Sequence, residues 1–264
     1  EQIQYTDIWA NDNYLQFIYE RLLLLKELLS EDGSIYVHCD NRKDHHLKCL
    51  LEEIFGTQNF RSEISREKCN PKNYTTAAFG NIHDSILFFS KADSPTWNRL
   101  HTKFNSDSLA ESFPKIDESG RRYKTAPLHA SGVRTGETGR PWRGIKPPSG
   151  NHWRYVHKTL EQLDERRLIE WSESGNPRKI IYADESKGIP VQDLWLGMKD
   201  TGSPDYPTQK NPKILERVLE SSSNTGDLVL DCFIGAGTSA LAAQKLGRRW
   251  IGCDINKGAI QTTA

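Results

Sequence analysis

The chain has 264 residues, room for one good core or one core with a substantial insertion, and is 36% hydrophobic and 27% charged. No apolar run approaches the eighteen or so residues of a membrane helix. Its five scattered cysteines contain no Cys-x-x-Cys pair, so neither a disulfide framework nor a zinc site is suggested, and a reducing cytoplasm fits. Formal net charge is zero, but residues 97–182 hold 16 Lys/Arg against 10 Asp/Glu, so one segment is basic and the rest acidic.

Asn11 and Asp12 are placed to cap a helix whose apolar residues Leu15, Ile18, Leu22, Leu25 and Leu29 recur at three- and four-residue spacing. A short β-rich run, Ser34 to Cys39, follows Gly33, and Leu47, Leu50, Leu51, Ile54 and Phe55 mark a second amphipathic helix. Ser85 to Ser90 is almost continuously apolar, as expected of a strand buried on both faces. From Lys91 to about Lys199 the texture turns to Gly, Pro, Ser, Arg and Trp, with one helical pattern over Val156 to Leu168. Pro212 then opens a helix carrying Ile214, Leu215, Val218 and Leu219 on one face. The chain closes with a strand at 227–231, a glycine loop, a helix from Thr238 to Leu246 stopped by Gly247, and a strand from Arg249 to Cys253. An α/β sheet with an insertion is predicted. With no initial methionine, and an end a few residues into an expected helix after Asn256, a piece of a longer protein is expected.

The strongest local signal is Leu230-Asp231-Cys232-Phe233-Ile234-Gly235-Ala236-Gly237-Thr238, between a predicted strand and a predicted helix. Its glycines let a ligand approach the backbone at the helix N-terminus. Asp254, at the tip of the next strand, can accept hydrogen bonds from two ribose hydroxyls. An isolated Gly-x-Gly is often only a tight turn, but strand, loop, helix and terminal acid together describe a nucleoside site. Gly235-x-Gly237-x-x-Ala240 also satisfies a nicotinamide-dinucleotide fingerprint. A dinucleotide domain, however, needs several βα units after this loop, and here the other strands must come from the N-terminal part.

Tyr206-Pro207-Thr208-Gln209-Lys210, the helix around Leu215-Glu216-Arg217-Val218, the segment Gly226 to Thr238, and Arg249-Trp250-Ile251-Gly252 resemble the closing half of the amino-type (N6-adenine/N4-cytosine) DNA methyltransferases with the β order of motifs. The resemblance extends upstream through Leu28 to His38 and Asn81 to Phe88, nearly the whole chain. It implies an S-adenosylmethionine-dependent methyltransferase sheet, Rossmann-like and circularly rearranged, with an inserted target-recognition region. The expected segments are a catalytic half at 1–96, the recognition insertion at 97–200 and a cofactor-binding half at 201–264. Asp231, Phe233, Gly235, Gly237 and Thr238 would line the cofactor, Asp254 would hold its ribose, and Thr208, Gln209 and Lys210 match the family segment beside its methionine end. Cys232 and Asn211 stand where the family usually has proline, two positions that shape the backbone.

Methylating an exocyclic amine requires its lone pair to be withdrawn from ring conjugation. The family does this with an Asp/Asn/Ser-Pro-Pro-aromatic motif acting on a flipped base. This chain has no such motif. Its Pro147-Pro148 lacks both the preceding acceptor and the following aromatic residue, so the catalytic residues are expected upstream of Glu1. Asp40 fits either a supporting contact or a helix cap, and His45-His46 fits a solvated pair, with no metal expected.

In the basic segment, cations interleave with Tyr123, Trp142, Trp153, Tyr155 and Trp171, a mixture suited to phosphates and bases. Arg121, Arg122, Arg140, Arg143 and Arg154 are the candidate contacts to double-stranded DNA, while Trp171 and Trp153 are expected to serve a small core. The reading is a site-specific methyltransferase acting on adenine N6, with cytosine N4, a non-catalytic DNA-binding relative and a nicotinamide oxidoreductase as alternatives. A restriction subunit and a second copy of the chain are the further partners considered.

Overall fold

The computed structural model describes residues 11–71, 77–200, 210–258 and 260. The chain divides into two compact units, Glu1–Leu100 with Pro190–Ala264, and His101–Ile189.

In the first unit, helix α1 (Asn11–Leu28) leads into strand β1 (Ser34–Cys39), helix α2 (Asp44–Phe55) and strands β2 (Phe60–Glu67) and β3 (His83–Ser90). After the second unit come the short strand β4 (Leu194–Trp195), helix α3 (Pro212–Ser222), strand β5 (Leu228–Asp231), helix α4 (Thr238–Lys245) and strand β6 (Arg249–Gly252). Asn11 and Asp12, which the sequence offers as caps, both fall within the range of α1. Asp40 does not cap α2. Its carboxylate accepts the backbone and guanidinium N–H of Arg42 in a local turn, and Lys43 precedes the helix.

One sheet runs in the order β1-β3-β2-β4, with β3 antiparallel to both long neighbours and β4 parallel to β2. β3 is buried from Asp84 to Ser90, which accounts for its unbroken apolar run. Alternation sends Leu87 and Phe89 to the α1/α2 face, where they pack with Leu22, Leu47, Leu51, Ile54 and Phe55. Ile86 points the other way and packs with Ile64, Trp195, Met198 and Ile214 of α3. β5 and β6 form a separate parallel pair. Helix α3 serves both sheets, because Ile214 faces the first and Leu219 packs on Ala242, Ala243 and Val229 beside the pair. Among the described residues β1 and β5 each have a partner strand on one side only.

The second unit holds an antiparallel sheet of Lys115–Ile116, Arg122–Pro127, Pro177–Tyr182 and Ile169–Trp171, in that order, and the hairpin His129–Ser131 with Asn151–Trp153. It is more regular than its Gly/Pro-rich sequence suggests, and a helix at Ser106–Ser112 joins the expected one, observed at His157–Glu165. Its core is Leu128, Trp142, Trp153, Leu160 and Leu163. Trp153 is buried as expected, but Trp171 is 43% exposed and Trp142 only 1%. Trp171 lies on an edge strand and covers Trp142 with one ring face, centroids 6.1 Å apart, so its other side stays in solvent.

Candidate cofactor site at the glycine loop

At the carboxyl end of β5 the chain turns sharply into α4. Gly235 (φ 52°) and Gly237 (φ 79°) adopt left-handed backbone, which costs a side-chain-bearing residue about 1 kcal/mol or more. The loop is clamped onto β6: Ile234 N–H donates to the Cys253 carbonyl at 3.1 Å, and Cys253 N–H to the Asp231 carbonyl at 3.0 Å. Ile234 is 5% exposed, and a Cβ on Gly252 would lie 2.1 Å from its Cδ1, so Gly252 lets the loop sit this low.

The two acids hold the loop from opposite sides. Asp231 accepts the Phe233 N–H at 3.0 Å and the Ser239 hydroxyl, tying the strand end to the first turn of α4. Asp254 accepts the Gly235 N–H at 2.9 Å through Oδ2 and the Asn256 N–H at 2.8 Å through Oδ1. Thr238 is buried at the helix start, while Phe233 is 53% exposed and meets Phe17 of α1 edge-on at 6.3 Å. The Cys232 thiol is pushed up to about 11 by burial, reinforced by Asp231, and so stays protonated at neutral pH. The structure thus brings together Asp231, Phe233, Gly235, Gly237, Thr238 and Asp254. Thr208 and Gln209 lie outside the described residues, and Lys210 is half-buried just before α3. Asn211 accepts the Lys213 N–H as the α3 cap and donates to the Lys199 carbonyl at 2.8 Å.

A second charged cluster lies at the carboxyl end of β1. Arg66 is fully buried, donating to Asp84 at 3.1 Å, to the Met198 carbonyl at 3.1 Å and to Asp200. Asp84 also binds Lys68 at 2.9 Å and faces His38 Nε2 at 3.3 Å. Burial works against the Asp84 anion, but the hydrogen bonds from His38 and Lys68 hold its carboxyl well below the usual range. Burial lowers His38, and the nearby Lys210 charge adds to that shift. Sequence reasoning missed this cluster, Ser239 and Phe17. Arg66 and Asp84 sit in polar-looking strand ends, and nothing local marks them as partners.

The arginines proposed for DNA fare differently. Arg121 is forked onto Asp184 at 2.8 and 2.9 Å and stacks over Tyr182, and Arg143 is bound by Glu161 and Asp164. Arg122 and Arg154 donate to the Phe113 and His129 carbonyls, while the exposed Arg140 side chain has no partner among the described residues. Among the described residues no group of three or more His, Cys, Asp or Glu side chains converges to hold a metal, and no helix is long and apolar enough to cross a membrane.

A glycine loop between a parallel strand and a helix, bonded to a carboxylate just beyond the neighbouring strand, belongs to a Rossmann-like α/β protein. The chain belongs to the DNA methylase family of N6/N4 methyltransferases, whose model matches residues 1–264. It is 42% identical over 263 residues to the Type II methyltransferase M.EcaI of Enterobacter cloacae, covering 98% of this chain and 58% of that one. It is 24% identical to the Type III restriction-modification enzyme StyLTI Mod subunit of Salmonella typhimurium, covering 95% of this chain and 42% of the relative, so it spans about half the length of these relatives. In fold it is similar to PvuII DNA methyltransferase (cytosine-N4-specific), with a TM-score of 0.50 at 12% identity, covering 100% of this chain and 73% of that one. The α/β methyltransferase fold expected from the sequence is thereby borne out.

Proposed function

We propose that this chain is part of a site-specific DNA methyltransferase that binds S-adenosylmethionine at the β5–β6 crevice and modifies adenine N6. The observation that carries the reading is the Asp254 carboxylate fixed beside the left-handed Gly235 loop. The cradle fits the cofactor. Glycine backbone lines it, Asp254 is assigned to two ribose hydroxyls, and Phe233 offers an exposed ring. Asp231 reaches the cofactor through the loop it shapes, and Thr208, Gln209 and Lys210 are assigned to the methionine end.

Bound S-adenosylmethionine supplies a methyl group on a sulfonium, open to in-line attack by an amine. This chain's contribution is binding and orientation, which convert an encounter of two molecules into a held geometry. The acceptors for the amino hydrogens are assigned to an Asp/Asn/Ser-Pro-Pro-aromatic strand, a motif that these 264 residues do not contain. The single-sided edges of β1 and β5 suit such a strand. The second unit and its neighbouring segments, residues 97–200, are assigned to target recognition on duplex DNA. A restriction subunit or a second copy of the chain is a further partner to test.

Calorimetry with S-adenosylmethionine and with NAD tests the cofactor, and binding of NAD alone would overturn the reading. Modification-sensitive sequencing of DNA from cells expressing the full-length protein tests the reaction. N6-methyladenine at a fixed sequence is expected, N4-methylcytosine would revise the base, and unmodified DNA would leave a non-catalytic DNA-binding protein.

A further inference from the structure

Among the described residues of the second unit, the exposed cations whose side chains have no hydrogen-bond or ion-pair partner include Lys103, Lys158, Arg166, Arg167 and Lys187, but three more, Arg134, Arg140 and Lys146, fall in a single loop that holds one acid. The hairpin His129–Ser131 with Asn151–Trp153 is closed by the loop 132–150, which contains Arg134, Arg140, Arg143 and Lys146 against the single acid Glu137. Arg143 is committed to Glu161 and Asp164. Arg134, Arg140 and Lys146 are exposed, and among the described residues their side chains have no hydrogen-bond or ion-pair partner.

The loop is also held in shape. At its base Gly132 N–H donates to the Gly150 carbonyl at 2.9 Å, and His152 Nδ1 lies 2.7 Å from the Gly132 carbonyl. In its middle, Trp142 and Ile145 exchange both backbone hydrogen bonds at 2.9 Å around Arg143 (φ 48°) and Gly144 (φ 80°), the signs of a type I′ turn. Trp142 drives this turn into the core, and its Nε1 donates to Glu161 at 2.7 Å. The Arg140 carbonyl accepts Trp153 Nε1 at 3.1 Å, fixing that backbone directly. On the other limb, a Cβ on Gly139 would fall 1.7 Å from the Arg134 carbonyl oxygen, so only glycine permits this close approach. Arg134, Arg140 and Lys146 therefore project from a hydrogen-bonded backbone, so the cost of engaging them falls on their side chains and not on folding the loop.

We infer that the loop 132–150 is the principal phosphate-contacting element of the insertion, with Arg134, Arg140 and Lys146 as its cations. The paired Arg121 and Arg143 instead serve the unit's own structure. The partner is double-stranded DNA, and the inference rests on the DNA-methyltransferase reading proposed above. Three cations without partners among the described residues, on one hydrogen-bonded loop, suit a polyanion. Each phosphate neutralised adds about 0.9 to the slope of log K against log salt.

The test is fluorescence anisotropy of a labelled duplex across a KCl series, using the full-length protein, the triple variant Arg134→Gln/Arg140→Gln/Lys146→Gln, and Arg121→Gln. The triple variant is expected to lose about 2 to 3 from the slope, and Arg121→Gln less than about 0.5. Gly139→Ala leaves the charge unchanged but displaces the Arg134 limb, and is expected to lose about 1 from the slope with unchanged far-ultraviolet dichroism. A triple variant within 1 of the unaltered slope, or an Arg121→Gln variant that loses 1 or more, overturns the assignment. Failure of the unaltered protein to bind duplex overturns the DNA reading itself, a separate result.

Discussion

Removing the Asp84 carboxylate tests how the first unit is held together. Asp84→Ala would strip Arg66 of its 3.1 Å ion pair and leave the guanidinium, fully buried, with the Met198 carbonyl and Asp200. It would also strand Lys68 and His38. Breaking one partner of a buried pair costs about 3–5 kcal/mol, far above the 0–1 kcal/mol of an exposed pair, because the remaining charge cannot regain water. At about 2–4 °C per kcal/mol for a chain of this size, the melting temperature should fall by roughly 6–20 °C. Urea denaturation followed by both tryptophan fluorescence and far-ultraviolet dichroism measures it, provided the two transitions coincide. The double variant Arg66→Met/Asp84→Leu, which removes both charges and keeps volume, should recover most of the loss. A single-variant cost below about 1 kcal/mol, or a double variant no better than the single, would refute the view that this cluster is a desolvated clasp.

Asp254→Asn should raise the dissociation constant for S-adenosylmethionine by roughly 10- to 100-fold in calorimetry, since a hydrogen bond to a charged acceptor contributes about 1.5–3 kcal/mol. Gly252→Ala forces Ile234 out of its pocket and should weaken cofactor binding about tenfold, while Gly252→Ala/Ile234→Ala restores it by vacating the clash at Cδ1. Stability should fall in two stages on acidification. His38 titrates lower in the folded state than unfolded, so the unfolded chain takes up more protons and stability declines as pH drops below about 6.5. Asp84, depressed in the folded state, supports stability above its unfolded value of about 3.9 and loses that support as pH falls further. Thermal melts across pH should show both stages, with the second missing in Asp84→Asn.

Much of the architecture was legible because the forces behind it are local in sequence. The apolar run at Ser85–Ser90 marked a strand buried on both faces, Pro212 marked the start of α3, and Gly235 and Gly237 marked a left-handed turn at a strand end. The pattern missed β2, whose residues Arg61, Ser62, Glu63, Ser65 and Arg66 read as surface. It also exchanged the roles of Trp142 and Trp171, because nothing in the sequence says which of two tryptophans ends up on an edge strand.

By itself the sequence determined the helices and strands with a clear apolar pattern, the glycine loop with its acid, and a basic insertion, since periodicity and backbone permissiveness act within a few residues. The tertiary structure decided which charges meet. Arg66 finds Met198 132 positions away and Arg121 finds Asp184 63 away, so one becomes a buried clasp and the other a satisfied surface pair. A cation left unpaired by that folding, such as Arg134, is defined only by what surrounds it in space.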